Sequence, residues 1–371
     1  MVSAPHGGGF ETYNKNILDQ LFKDSLSNQY YIFTNKKYLN SSNKNIHFIY
    51  ISNFFSKTIT RLLWMQFIFP FYLIFKRFEI IFSPMNIMPI LLKFFSIKKV
   101  LVVHSNLPWL FPNDVPGNVI KLFFQRFLTN ISINIADKVI VDSKTANIEL
   151  NTLFENIEHK TYTIYLGVKK PNLNLLESKN LLHVSNIDIL NDDYLLTISS
   201  SVSYHCILEL ITAYELFCRD KGNAKIPNYI ILSKNLDKEY FKKINKKINK
   251  SIYSSSIILI EDIDSHIIPL LYKNAIMYIF SSYCEVFGLT NLEAMFYETP
   301  VITANKSALP EICGDAALYF DPFNPIDIND KINKVISNDK IREQMIRNGK
   351  NRVKKFDWYK TYHETINIIL N

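Results

Sequence analysis

The chain has few glycines and few cysteines for its length of 371 residues. It contains 9 glycines and 4 cysteines. The cysteines show no metal-ligand spacing and no framework of close pairs, which excludes a disulfide scaffold and indicates reduced thiols in a cytosol. They are Cys206, Cys218, Cys284 and Cys313.

The sequence also lacks an apolar run long enough to cross a membrane. Its most apolar stretch, residues 62–75, is about six residues short of the roughly 20 that a span needs, and it contains Gln66 and Pro70. No small-residue cleavage site follows, and the stretch begins too far along the chain for a signal peptide. We expect a helix buried on a parallel sheet. A helix dipping into a membrane is the alternative, because Arg61, Lys76 and Arg77 flank the run.

Composition favours a two-domain globular protein. The length fits two domains of about 150 to 200 residues each. An apolar fraction of 48% and an aromatic fraction of 14% argue against disorder. The net charge of +8 is moderate, and it fits a solvated surface, an anionic membrane face or nucleotide-sugar phosphates. No nucleic-acid recognition motif is present, so we expect no nucleic-acid partner.

Strand-like and helical patterns alternate along the chain. Apolar β-type runs occupy residues 30–34, 46–51, 78–82, 99–104, 194–198, 229–233, 257–260 and 275–280. Such alternation predicts an α/β fold with two doubly wound parallel sheets facing a cleft. Helical patterns lie between the runs, and the lysine-rich one at residues 237–250 is expected to present a solvated basic face.

Residues 281–295 read as a strand end, a loop and the start of a helix. Two carboxylates, Glu285 and Glu293, bracket the bend at Gly288. Amides at a helix N-terminus bind phosphate, and carboxylates bind sugar hydroxyls. The stretch therefore suits a polyhydroxylated anion, with free amides at Gly288, Leu289 and Thr290. The alternative is a capping box in which Glu293 folds back on Thr290 and meets no ligand.

Two further features point to a ligand site. The glycine loop that ends with Gly8 and Gly9 precedes a helical pattern, so its amides could approach a diphosphate, although a plain turn explains it as well. His104 follows a β-type run, at the strand end where α/β sheets bind ligands.

With its flanks, the stretch at residues 281–295 resembles the donor-site signature of retaining glycosyltransferases of family 4, which have the GT-B fold. That signature is Glu-x-Phe-Gly-Leu followed by Leu-Glu-Ala-Met. It is matched here by Glu285, Phe287, Gly288, Leu289, Leu292, Glu293, Ala294 and Met295. The match continues through residues 299–302, 307–311 and 314–322.

The resemblance implies a hexosyltransferase. Its donor would be a UDP- or GDP-linked sugar, its acceptor a glycan or lipid-linked molecule, and its pathway bacterial lipopolysaccharide or other surface polysaccharide synthesis. A mannosyltransferase is one such enzyme. The implied location is cytoplasmic, with peripheral contact at the inner face of the membrane. The implied domains are residues 1–175 and 190–355, a linker at 172–190, and a C-terminal helix at 356–371 that crosses back to the first domain.

The resemblance also assigns roles to individual residues. The amides of Gly8, Gly9, Gly288, Leu289 and Thr290, next to Phe287, would stabilise the leaving diphosphate. Glu285 would hold sugar hydroxyls, Glu293 the ribose hydroxyls, and His104 the transferred sugar near the reacting carbon. No metal cofactor is expected, because Asp262-x-Asp264 falls in a loop that lines the base pocket in the family.

Three positions depart from the family pattern. The Gly-Arg pair that should reach the diphosphate is Ser199-Ser200 here, and the Lys is His205. Serine hydroxyls and amides still bind phosphate, but no fixed charge remains. His205 supplies a conditional charge if a diphosphate lies beside it, and an ordinary surface histidine is the alternative. Glu298 replaces a glycine in a left-handed helix cap, where we expect the geometry to shift slightly.

Other readings of the sequence stay open. One is a sugar-nucleotide epimerase or hydrolase of the same fold, and another is a non-catalytic GT-B-like binding protein. Almost no first strand precedes the glycine loop, so we expect either a start upstream of Met1 or a sheet that begins with a stub.

Overall fold

A computed structural model describes residues 9–25, 27–35, 43–168, 192–222 and 224–371. The chain forms two compact units. The first comprises Met1–Gly167 with Asp357–Asn371, and the second comprises Val168–Phe356. The linker predicted at residues 172–190 lies outside the described residues.

The described residues of the first unit form two parallel sheets. β1 (Tyr30–Thr34) pairs with β2 (Ile46–Tyr50), and a second sheet has the order β3-β4-β5-β6. Its strands are β3 (Ile80–Ser83), β4 (Lys98–Val103), β5 (Lys138–Val141) and β6 (Thr161–Thr163). Apart from the C-terminal helix, the helices of the first unit are α1 (Gly9–Leu21), α2 (Thr58–Leu63), α3 (Phe69–Phe75), α4 (Leu107–Leu110), α5 (Val119–Ile135) and α6 (Lys144–Leu153). The apolar run of β4 is fully buried, as expected for a central parallel strand.

The second unit is built on one parallel sheet with the order β12-β11-β10-β7-β8-β9. Its strands are β7 (Tyr194–Ser200), β8 (Asn228–Lys234), β9 (Ile257–Ile260), β10 (Met277–Phe280), β11 (Val301–Ala304) and β12 (Ala317–Phe320). Its helices are α7 (Ile207–Lys221), α8 (Lys238–Lys250), α9 (Ile268–Asn274), α10 (Leu289–Phe296), α11 (Leu309–Cys313), α12 (Pro325–Ile336) and α13 (Asp339–Val353). The chain runs outward from β7 to β9 and resumes beside β7 at β10. This reversal is a topological switch point, where open α/β sheets bind ligands.

The final helix, α14 (Trp358–Leu370), packs in the first unit. The Tyr13 ring of α1 lies edge-on to Trp358, with ring centroids 6.1 Å apart. The Tyr362 hydroxyl donates to Asp24 Oδ2 at 2.8 Å, and the Thr361 hydroxyl donates to the Tyr165 carbonyl at 2.7 Å. Aromatic packing on α1 and two partly buried hydrogen bonds to other segments of this unit hold the helix in place.

The apolar run at residues 62–75 forms one continuous helix with an inner and an outer face. α2 passes through a π-helical turn (Trp64–Ile68) into α3. Trp64, Phe69 and Leu73 pack into the first unit's core, as the prediction of burial requires. The outer face is exposed, so that prediction is wrong for half of the helix. Among the described residues, no helix is both long and apolar enough to cross a membrane.

Glu298 closes α10 in a left-handed conformation, with φ of 65°. The Thr299 amide donates to the Ala294 carbonyl at 3.0 Å, and the Glu298 amide donates to the Met295 carbonyl at 3.1 Å. These bonds are a Schellman motif, which ordinarily has glycine at the left-handed position. The geometry is kept without glycine, so the expected shift is wrong.

We expect Glu298→Gly to raise the free energy of unfolding by about 1 kcal/mol, because glycine adopts positive φ without a Cβ penalty. Urea denaturation would measure the change. Glu298→Ala is the matched control: it keeps the Cβ and, like glycine, removes the exposed ion pair with Lys350. Equal stabilities of the two variants would show that this cap carries no strain.

Candidate functional site

The carboxyl ends of β7 and β10 bring the predicted residues of the second unit to one edge of the sheet. The two strands are neighbours, with Leu195 opposite Met277 and Leu196 opposite Tyr278. β7 ends at Ser200, and the loop after β10 carries Glu285. Parallel strands place these ends together at the switch point of the sheet.

His205 links the two strand ends. Its Nδ1 lies 2.7 Å from the Ser200 carbonyl oxygen and 3.1 Å from the Ser200 amide nitrogen. Its Nε2 lies 3.3 Å from Glu285 Oε1. With both ring nitrogens protonated, the ring donates to the carbonyl and the carboxylate at once. The ring is buried, so the alternative of an ordinary surface histidine is wrong.

Gly288 makes the bend between the loop and α10. Its φ is +91°, and a Cβ at this position would lie 2.6 Å from Leu309 Cδ2, so the turn requires glycine. Gly288 is the N-cap of α10 and, as a glycine, makes no side-chain cap to the first turn. First-turn amides have no intrahelical acceptor, so those of Leu289 and Thr290 are suited to bind an anion.

Glu293 does not form the capping box. The N-cap is Gly288 and the helix begins at Leu289, which puts Glu293 in the second turn rather than the first. Its Oε2 accepts a hydrogen bond from the Tyr272 hydroxyl at 3.2 Å. Burial raises the pKa of Tyr272 well above its usual value, so the phenol stays protonated and donates. The carboxylate is therefore held by a side chain of α9.

The carboxylates of Glu285 and Glu293 both act on the pKa of the buried Tyr278. Its hydroxyl donates to the Ile198 carbonyl at 3.0 Å. Burial raises the pKa of Tyr278, and the negative charges of Glu293 and Glu285 raise it further. Both carboxylates thus lie within electrostatic range of one phenol.

The remaining predicted residues of this unit occupy different environments. Phe287 is 2% exposed and lies edge-on to Phe356, with ring centroids 5.6 Å apart, so its ring supports the loop from within. The Ser199 hydroxyl is buried and has no hydrogen-bond partner among the described residues. A buried hydroxyl without a partner is costly and is commonly satisfied by a ligand or water.

His104 lies in the first unit, directly after β4. Its Nδ1 lies 2.8 Å from Asp142 Oδ2, and its amide donates to Asn86 Oδ1 at 2.8 Å. The rings of Phe10 and Tyr13 pack edge-on to the imidazole. Its Nε2 is buried and, in the described part of the chain, has no partner. A carboxylate on one nitrogen fixes the ring and leaves the other nitrogen for a ligand.

Gly9 is the first residue of α1, where its amide has no intrahelical acceptor. Gly8 and the rest of the glycine loop lie outside the described residues. The loop with Asp262 and Asp264 is exposed, and Asp264 Oδ1 accepts the His266 amide at 3.0 Å. Within the ranges that the structure describes, no group of three His, Cys, Asp or Glu side chains could hold a metal ion.

Sequence reasoning did not assign roles to Asp142, Tyr272 or Tyr278. Asp142 is 38 residues from His104 and reaches it because β4 and β5 are paired, with Val103 opposite Val141. The signal available was that both residues directly follow buried β-type runs, whose ends meet at one edge of a parallel sheet. Nothing in the sequence pointed to the two tyrosines, since buried tyrosines are common in cores.

Residues 185–352 match the family described as "Glycosyl transferases group 1". The chain is similar to "O-antigen chain mannosyltransferase B" of Escherichia coli, with 37% identity over 100 residues, which cover 27% of this chain and 26% of that protein. It is 21% identical over 243 residues to "O-antigen chain mannosyltransferase RfbU" of Salmonella typhimurium, covering 63% of each. The chain thus spans less than two thirds of either relative's length.

The fold is similar to that of Anabaena Alr3699/HepE, solved in complex with UDP and glucose. The TM-score is 0.73 at 15% sequence identity, with 99% of this chain and 97% of that chain covered. The predicted fold class is confirmed: the chain has the GT-B fold, with parallel sheets in two Rossmann-like units.

Proposed function

We propose that this chain, whose residues 185–352 match the family described as "Glycosyl transferases group 1", is a retaining hexosyltransferase. It takes the hexose from a nucleotide diphosphate sugar and passes it to a glycan or lipid-linked acceptor. The similarity to O-antigen mannosyltransferases favours mannose as the sugar and surface polysaccharide as the product. The proposed location is the cytoplasm, with peripheral contact at the inner face of the membrane.

One observation carries the proposal: groups suited to the sugar, the diphosphate and the ribose of a nucleotide sugar lie near the switch point of the second sheet. Uncapped amides of α10 suit the diphosphate, and Glu285 suits sugar hydroxyls. Glu293 suits the vicinal hydroxyls of a ribose, since its Oε2 accepts one phenol and a carboxylate accepts several hydrogen bonds.

In the proposed reaction the anomeric bond to the diphosphate breaks, and the sugar becomes oxocarbenium-like. The bonding electrons leave with the diphosphate, whose charge the amides of Gly288, Leu289 and Thr290 stabilise. The acceptor hydroxyl then attacks from the face that the diphosphate leaves, and its proton passes to the departing diphosphate oxygen on that face. His205 supplies the positive charge that the family takes from Lys, provided that it carries a proton on both nitrogens.

His104 is proposed to contact the transferred sugar through Nε2. Asp142 holds Nδ1, so the imidazole presents Nε2 in one orientation. We assign Asp142 a positioning role, because it contacts His104. Gly8 and Gly9 are proposed to contact the diphosphate through their amides.

The test is donor binding by Glu293→Ala. We expect its dissociation constant for the preferred donor to rise at least about tenfold, because buried ribose hydroxyls lose their partner. A thermal-shift panel of UDP- and GDP-linked sugars first identifies that donor, and calorimetry then compares the variants.

Tyr272→Phe is the matched control for this test. It removes the phenol that Glu293 accepts but leaves the carboxylate in place, so it should lower the melting temperature and keep donor affinity within about threefold. Unchanged donor affinity in Glu293→Ala, with only a lower melting temperature, would overturn the ribose assignment.

A non-catalytic sugar-nucleotide-binding protein is the second candidate. Ser200 and His205 stand where the family resemblance has Arg and Lys, and His205 faces Glu285, which reduces the charge that it offers a diphosphate. Donor turnover with and without acceptor separates the readings. A binding protein would bind the donor but consume none, whereas a hydrolase or epimerase would consume it without acceptor.

A further inference from the structure

The outer face of the helix formed by α2, the π-turn and α3 carries an exposed apolar stripe. We define the apolar stripe as Ile59, Leu63, Phe67, Phe71 and Phe75. Each of these side chains is between 52% and 90% exposed. The opposite face of the same helix packs into the core through Trp64, Phe69 and Leu73. The stripe therefore takes no part in the packing of the first unit's core.

The π-turn keeps the stripe on one side of the helix. In a regular α-helix, a spacing of four residues drifts by about 40° at each step, or about 160° from Ile59 to Phe75. The Phe69 amide donates to the Trp64 carbonyl, an i→i+5 bond that adds one residue to a turn. One added residue takes back about 100° of that drift, so the five side chains stay on one face.

Two neighbouring elements also carry exposed apolar side chains. The Gln66 side chain donates to the Met88 carbonyl and accepts the Ile90 amide, which ties the helix to the turn at Ile90–Phe94. That turn packs on α5. Both elements also carry exposed apolar side chains, which are Phe94, Val119, Ile120, Phe123, Phe124 and Phe127.

The same part of the chain carries most of the net positive charge. Residues 57–136 contain nine Lys or Arg and two acidic residues, a net charge of +7, whereas the whole chain has +8. Lys57, Lys76, Arg77 and Lys93 are exposed at the ends of the stripe and on the adjoining turn. Exposed apolar side chains bordered by basic ones match an anionic bilayer surface.

Helix α8 offers a comparison, because it is basic but has no exposed apolar stripe. It has several exposed lysines, but Tyr240, Ile244 and Ile248 are buried and Phe241 is half-buried, so none of its apolar residues is exposed. Solvation accounts for such a face. The stripe differs because its exposed residues are aromatic and aliphatic.

We propose that the apolar stripe docks on an anionic lipid bilayer. Its side chains enter the boundary between the headgroups and the acyl chains, and the flanking Lys and Arg side chains contact lipid phosphates. A second copy of this chain is the weaker occupant, because pairing the face with itself would bring together two surfaces of like charge. The inference deepens the membrane location within the proposed function and rests on it. Its test measures lipid binding and not transfer, so either proposal can fail alone.

The experiment is vesicle co-sedimentation of the purified chain. Vesicles of phosphatidylcholine alone are compared with vesicles that also contain phosphatidylglycerol, each at low and high salt. We expect binding to the anionic vesicles, weakened by salt. Phe67→Ser with Phe71→Ser should lower the partition coefficient at least about tenfold, since two aromatic side chains no longer enter the bilayer. Lys57→Gln, Lys76→Gln and Lys93→Gln together should lower it at least about tenfold as well.

Matched controls come from the second unit. Ile252→Ser with Ile326→Ser removes two side chains that are similarly exposed, and Lys243→Gln, Lys246→Gln and Lys250→Gln remove three exposed lysines of α8. Both sets should bind vesicles as the unchanged chain does. Melting temperatures within a narrow range would show that all variants are folded.

Two results would overturn the proposal. One is equal vesicle binding by the Phe67→Ser, Phe71→Ser variant and the unchanged chain. The other is no vesicle binding together with a concentration-dependent dimer that this variant abolishes, which would make the face a contact between copies.

Discussion

Replacing Glu285 with glutamine is expected to lower the rate of glycosyl transfer at least about tenfold, because hydrogen bonds to a charged acceptor are strong and their loss leaves partners unpaired. Glutamine keeps the size of the side chain and removes the charge. In the structure Glu285 Oε1 lies 3.3 Å from His205 Nε2, and its side chain is 22% exposed. The carboxylate is thus largely desolvated yet open enough to meet a sugar hydroxyl.

The loss should fall mainly on kcat at saturating donor, since sugar hydroxyls are held most tightly as the sugar becomes oxocarbenium-like. Initial rates over a range of donor concentrations would separate kcat from KM. Glu343→Gln, on the exposed face of α13, is the control and should leave both unchanged. Transfer by Glu285→Gln within about twofold of the unchanged chain would remove Glu285 from the mechanism.

Gly167→Ala is expected to destabilise the protein by at least about 3 kcal/mol, because the added Cβ would overlap backbone atoms that cannot rotate away. A Cβ at residue 167 would overlap the Trp358 amide nitrogen and the Asp357 carbonyl carbon. To relieve this overlap, either the segment after β6 that contains residue 167 or the start of α14 must move. Movement would strain the Thr361 hydroxyl bond to the Tyr165 carbonyl.

Urea denaturation monitored by tryptophan fluorescence would measure this loss, since Trp358 stands at the contact. Gly9→Ala is the matched control, because no atom of the described residues lies within 4 Å of its Cβ position at the start of α1. Its stability should stay the same or rise slightly. A Gly167→Ala variant as stable as Gly9→Ala would mean that α14 does not pack against residue 167 in solution.

The sequence predicted most strands and their order along the chain. β1 (Tyr30–Thr34) and β9 (Ile257–Ile260) have the predicted bounds, because short apolar β-type runs between polar residues mark buried parallel strands. The predicted run 194–198 continues two residues further, to Ser200. Serine carries little strand signal of its own, and pairing with β8 decides those positions.

The sequence predicted candidate site residues but not the side chains that contact them. Glu285, Gly288 and Glu293 came from a local motif, and the structure places all three around the bend that follows β10. A capping box formed by Thr290 and Glu293 was consistent with the same sequence. Packing of Leu309 at Gly288 and the Tyr272 hydroxyl on Glu293 decide against it, and both partners are distant in sequence.

The sequence by itself determined that two units of parallel α/β structure form, and which loop carries the carboxylates. Both follow from local chemistry: hydrophobic period, strand-forming runs and the need for glycine at a bend. Only the tertiary structure decided which partner each polar group meets and which apolar face remains uncovered. Asp142 reaches His104, and Glu285 reaches His205, through neighbouring strands. The apolar stripe is exposed because the opposite face of its helix is the one that packs into the core. Hydrophobicity alone does not say how much apolar surface a core can bury.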